Sequence, residues 1–268
     1  MEKSFLPALT WEEFKQTLAK DPVILIPLGS LEVHGPRSPM GDYRITEKLA
    51  REVAQATNSI TLPAIPFGYS EFFKDFPGTI SLQPETLSRL FIDICSCLID
   101  YGAKHLLFVN GHAQNVSIIE HVARKIKREK GLITACVTPF SFFTPEFIEK
   151  IYGEKADSLG HGSDPMNSLN LYLFPDEVNL KLTNNSKKLK LDELEILSIS
   201  EARYKGVIVN LFLDFKDITP NGVMGDPSLG SAEKGKLLFK RILELTISFV
   251  RRFKVINTYE ISKTGRYE

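Results

Sequence analysis

The chain has 268 residues, 43% of them apolar and 25% charged, with only three cysteines. That composition can bury a core of ordinary size and excludes both a disordered chain and a disulfide-stapled one. Its 33 basic side chains balance its 33 acidic ones, so there is no electrostatic footprint for nucleic acid or an anionic membrane as partner.

In chain order, Thr10-Trp11-Glu12-Glu13 reads as an N-cap with acidic first-turn residues, opening a helix that ends near Lys20. Pro22 to Leu28 is a continuous apolar run, as expected of a strand buried on both faces. Glycines and prolines crowd residues 29 to 41 and mark a functional loop. Helical spacing returns from Ile45 to Thr57, with Ile45, Leu49, Val53 and Ala56 on the inner face. Ile60 to Ile65 is a second strand, and Phe67 to Pro77 an aromatic-rich loop. A helix runs from Pro84 to about Tyr101, where Gly102 ends it. His105 to Val109 is a third strand, Val116 to Glu129 a helix and Leu132 to Val137 a fourth strand. A further helix runs through Leu169 and Leu173. The lysine-rich stretch from Thr183 to Glu195 reads as a solvated excursion. Gly206 to Phe215 looks like strand, and Ala232 to Phe253 like a closing helix. The alternation implies βαβ units: a single-domain α/β fold over residues 1–268 with a mostly parallel central sheet flanked by helices.

The apolar stretch around Phe91 to Ile99 carries Asp93 and is about half a bilayer span. The N-terminal segment lacks the apolar core of a signal peptide. Cys95, Cys97 and Cys136 read as buried free thiols. A soluble, cytoplasmic protein is the expectation, and its neutral charge is compatible with self-association.

Chemistry-bearing residues gather after two of the strands, where open parallel sheets place their sites. Glu32 and His34 are two apart, so in an extended chain both project to one side, a pair suited to Zn, Mn or Fe. Asp42 opens the next helix, as a ligand or as its N-cap. His112 follows the third strand in Asn110-Gly111-His112, as a ligand or as a structural histidine. His161 lies between Gly160 and Gly162, and Asp164-Pro165 just after it could cap a helix. His105 and His121 read as structural.

At these residues the chain resembles the creatininase (creatinine amidohydrolase) family. The shared motifs are Gly29-Ser30-Leu31-Glu32-Val33-His34-Gly35-Pro36, Pro39-Met40-Gly41-Asp42, Phe76-Pro77-Gly78-Thr79-Ile80-Ser81-Leu82, Asn110 to Asn115, Gly222 to Pro227 and Glu233 to Gly235. The resemblance implies two divalent metal ions (Zn, Mn or Fe), a homo-oligomer, often a hexamer, and a small-molecule substrate. It implies that Glu32, Asp42 and His112 hold one ion, while His34 and a bridging Asp42 hold the other. Gln114 stands where creatininase has a glutamate ligand, so Asp164 is expected to supply the missing carboxylate. Phe72 and Phe73 replace histidines of many relatives, and the aromatic residues that enclose creatinine are not recognisable. His161 is expected to act as the catalytic acid or base, with Ser70, Glu71 and Gln114 binding substrate. The expected activity is hydrolysis of a small, polar, cyclic amide or lactam other than creatinine. C–C opening of a cyclic ketone and a non-catalytic assembly role are the alternatives.

Overall fold

Val23–Leu28 forms strand β1, and every one of its residues is buried. The computed structural model describes residues 3–181 and 190–260. β1 pairs in parallel with β2 (Ile60–Thr61) and β3 (His105–Asn110), and β4 (Ala135–Val137) continues from β3, giving the order β2-β1-β3-β4. The helices are α1 (Trp11–Leu18), α2 (Tyr43–Thr57), α3 (Pro84–Asp100), α4 (Asn115–Lys130), α5 (Pro145–Tyr152), α6 (Met166–Leu173), α7 (Phe215–Ile218) and α8 (Ala232–Phe253).

Strand periodicity divides the core. Ile24, Ile26, Leu106 and Phe108 face a layer that includes Leu87 and Phe91 of α3 and Ile118 and Val122 of α4. Val23, Leu25, Leu107 and Val109 face the other way, onto Leu49 and Val53 of α2 and Leu238 and Ile242 of α8. Alternate residues of one strand thus serve opposite cores, which is why the run is continuously apolar. Thr10 opens α1 with the expected cap, its side chain accepting from Glu13 N while the Glu13 carboxylate accepts from Thr10 N.

Three local expectations need correcting. Ala54, not Ala56, completes the buried face of α2. Of the thiols only Cys95 is buried, its pKa pushed up to about 12 by burial, whereas Cys97 and Cys136 are exposed. The predicted strand from Gly206 to Phe215 is β8 (Val207–Asn210), after which the chain turns and buries Phe215 in α7. β8 closes an antiparallel sheet with β5 (Lys190–Leu191), β6 (Leu194–Ile196) and β7 (Glu201–Tyr204). Lys205 and Gly206, both at positive φ, make the two-residue turn between β7 and β8. Of the lysine-rich stretch, residues 183–189 lie outside the described residues, and the rest enters β5 and β6. Among the described residues no helix is long and apolar enough to cross a membrane.

Candidate metal centre

β1 and β3 lie in register with Leu28 opposite Asn110, so the loops that follow them start side by side. The first loop is held extended by an antiparallel bridge between Leu31 and Ile80, and Thr79 Oγ1 accepts from Val33 N at 3.3 Å. This accounts for the Phe76–Leu82 motif, and it aims Glu32 and His34 to one side. Asp42 stands at the N-cap position of α2 without capping it; its Oδ1 accepts instead from Ser30 N at 2.7 Å. A Cβ on Gly29 would lie 2.0 Å from that oxygen, so the position requires glycine. In the second loop Asn110 brackets His112, accepting from its N at 3.2 Å and donating to its carbonyl at 2.7 Å. Asn115 ties both loops together, donating to Gly29 O at 3.1 Å and accepting from Tyr69 N at 3.0 Å.

The loops bring Glu32, His34, Asp42, His112 and His161 together. Ligand-type atoms of Glu32, Asp42 and His112 lie within 4.8 Å of one another, as do those of Glu32, His34 and His161. Each histidine has one ring nitrogen against a backbone carbonyl. His112 Nε2 faces Tyr69 O at 2.8 Å, His34 Nδ1 faces Glu32 O at 3.2 Å, and His161 Nε2 faces Val33 O at 2.6 Å. The opposite nitrogen of each ring is the one turned toward the carboxylates. His112 Nδ1 lies 3.0 Å from Glu32 Oε2, to which it donates when the imidazole is charged, and 3.4 Å from Asp42 Oδ2, while His34 Nε2 lies 3.7 Å from Glu32 Oε1. Such carbonyl-fixed imidazoles are the usual support of metal ligands.

The electrostatics suit a cation. Burial alone would push the Glu32 carboxyl up, but the imidazoles of His112, His34 and His161 bring it down to about 2. Burial pushes Asp42 up, and the neighbouring Glu32 charge adds to this against the hydrogen bond with His112. Burial opposes charge on His112, yet Glu32 and Asp42 hold it well above the usual histidine range. Burial first, then His34, pushes His161 down to about 3. Two carboxylates and three imidazoles out of water form a donor set that fits a divalent transition metal.

Three expectations change. Asp164 does not approach the cluster: it is wholly buried, with Oδ1 accepting from Ser168 N at 2.9 Å and Oδ2 from Ser168 Oγ at 2.7 Å. Its carboxylate therefore fixes the start of α6, as the capping alternative anticipated. His161, expected as the acid or base, stands among the ligand-type atoms beside Glu32 and His34. Glu32, and not Asp42, is the carboxylate common to both groups of ligand-type atoms.

Of the residues expected to contact substrate, Gln114 lines the cavity over the cluster. Ser70 is fully buried and donates to Glu32 Oε2, with Ser30 hydrogen-bonded to it. Glu71 pairs with Lys74 at 2.6 Å and does not line the cavity. His105 is structural, with its ring nitrogens against Asp21 and Ile256 O, and His121 is exposed. The sequence did not reveal that His161 stands beside Glu32 and His34, nor that Ser70 supports Glu32. The glycines around His161 were the available signal for the former. A Cβ on Gly162 would lie 2.4 Å from Gly222 O, and Met224 N donates to His161 O at 2.7 Å, so the Gly222–Pro227 motif packs directly on this loop.

A family model described as creatininase, creatinine amidohydrolase, matches residues 7–250. The creatinine amidohydrolase of Pseudomonas putida is 28% identical over 258 residues, covering 90% of this chain and 94% of that protein. The mycofactocin precursor peptide peptidase of Mycobacterium ulcerans (strain Agy99) is 28% identical over 251 residues, covering 87% and 86%. Among solved structures, a mutant creatininase of Zn-Zn type superposes with a TM-score of 0.77 at 26% identity, covering 94% of this chain and 98% of that one.

Proposed function

The chain belongs to the creatininase family, and on that premise we propose that it is a metal-dependent amidohydrolase with two ions sharing Glu32. Asp42 and His112 complete one position, and His34 and His161 the other. The observation that carries this reading is the common arrangement of the three histidines: each has one nitrogen on a backbone carbonyl and its other side toward the carboxylates. Metal ions held there would activate water and polarise a substrate carbonyl at neutral pH.

The protein's own groups prepare that chemistry. Ser70 holds the Glu32 carboxylate, and the carbonyls of Tyr69, Glu32 and Val33 fix the imidazoles. Phe72 and Phe73 flank the cluster, their rings 6.3 Å from His112 and 4.5 Å from His161, and limit access of bulk water. Gln114 lines the same cavity with an amide that can both donate to and accept from a substrate amide.

The reacting group is an amide or lactam C–N bond. Hydrolysis of such bonds is named for both relatives above, a creatinine amidohydrolase and a peptide peptidase. The small polar ring expected from the sequence is one form the substrate can take, and the homo-oligomer is a part of the proposal that light scattering checks. The activity is tested by metal analysis of protein purified without chelator, followed by a screen of linear amides, lactams and cyclic ketones. Turnover of amides that is abolished by chelator and restored by zinc or manganese is expected. Metal-free protein that takes up neither ion, or turnover confined to ketones, would overturn it.

A further inference from the structure

The cavity over the cluster has a volume of about 580 Å³, within the range of roughly 300–1,000 Å³ that encloses ligands much larger than one small ring. Its floor is the cluster, but its walls are of another character. They include Phe72 in the Glu71–Phe73 turn, Phe140 and Phe143 beyond β4, Leu197 just after β6, Phe215 at the start of α7, and Met224. Among the described residues that line the cavity, every ionisable side chain belongs to the cluster itself, and the uncharged polar ones are Gln114 and Ser198. The apolar wall reaches the cluster: the rings of Phe73 and Phe215 lie 4.5 and 4.7 Å from that of His161.

Five separate chain segments therefore build one apolar wall with no cation or anion in it beyond the cluster. A charged substrate group seated there would lose its water without gaining a counter-ion, which is strongly unfavourable. An apolar group would gain by leaving water. We infer that the substrate carries, beside its scissile amide, a bulky uncharged apolar substituent, aromatic or branched aliphatic, that packs on this wall. This rests on the amidohydrolase reading, since the metals orient the amide and the wall receives what is attached to it.

The test is calorimetric titration of the zinc-loaded protein with three metal-binding probes: acetohydroxamate, benzohydroxamate and 4-carboxybenzohydroxamate. Benzohydroxamate should bind about tenfold or more tightly than acetohydroxamate, the scale expected from burying one ring. The added carboxylate should remove that gain. Leu197→Lys should restore binding of the carboxylated probe while leaving acetohydroxamate unchanged, with circular dichroism checking the fold. Ile148→Lys, on the same wall, serves if the first variant does not fold. Equal affinity for all three probes overturns the inference and leaves the metal centre standing. No binding by any probe removes the metal centre, and the inference with it.

Discussion

His112 Nδ1 stands 3.0 Å from Glu32 Oε2, with the far side of the imidazole held by the Tyr69 carbonyl at 2.8 Å. The other oxygen of the same carboxylate faces His34 Nε2 at 3.7 Å. One glutamate therefore serves both groups of ligand-type atoms, while Asp42 serves one. Glu32→Gln should weaken zinc binding at both positions, and Asp42→Asn at one. Equilibrium dialysis counts ions per chain. Loss of two ions in Asp42→Asn and one in Glu32→Gln would make Asp42 the bridge instead.

Ser70 is a support and not a substrate contact, because its hydroxyl lies against Glu32 Oε2 out of reach of solvent. Ser70→Ala should lower zinc affinity about 10–100-fold, as loss of an outer-shell partner usually does. Competition against a chromogenic chelator measures this. An unchanged zinc affinity together with a raised KM would return Ser70 to substrate binding.

Asp164 belongs to the fold. Removing its carboxylate leaves Ser168 N and Oγ without their acceptors at a buried helix start. Asp164→Ala should cost about 1–3 kcal/mol of stability with no change in metal content, read from urea unfolding of the variant and elemental analysis of the same sample. Loss of one ion in a variant that remains folded would reinstate it as a ligand.

Gly29→Ala is expected to act on the metal through sterics. The new methyl would lie 2.0 Å from Asp42 Oδ1 and 2.5 Å from Tyr43 N, and the backbone at the start of α2 cannot yield cheaply. The variant should lose zinc at the Asp42–His112 position along with stability. A variant with wild-type zinc content and wild-type Tm would contradict this packing.

The parallel sheet was legible because Val23–Leu28 and His105–Asn110 are long, apolar and punctuated by glycine and proline. The antiparallel sheet was not, since strands of two to four residues with exposed Val207 and Ile208 carry too little periodicity to read. The spacing of Glu32 and His34 and the setting of His112 announced a cluster. What separates His161 from Asp164 lies only in space. Both lie in the Gly160–Pro165 loop, but one ring is held by Val33 O, 128 residues away, and the other side chain is satisfied four residues on. Gln114 in place of a glutamate ligand favoured Asp164 as the missing carboxylate, and the local hydrogen bonds of α6 outweigh it.

The most direct test is anomalous diffraction at the zinc edge from crystals of the protein purified without chelator and soaked in zinc. Two peaks are expected, both beside Glu32, one facing Asp42 and His112 and the other facing His34 and His161, with no peak at Asp164. No peak within the cluster, or a second peak held by Asp164 in place of His161, would contradict the centre described.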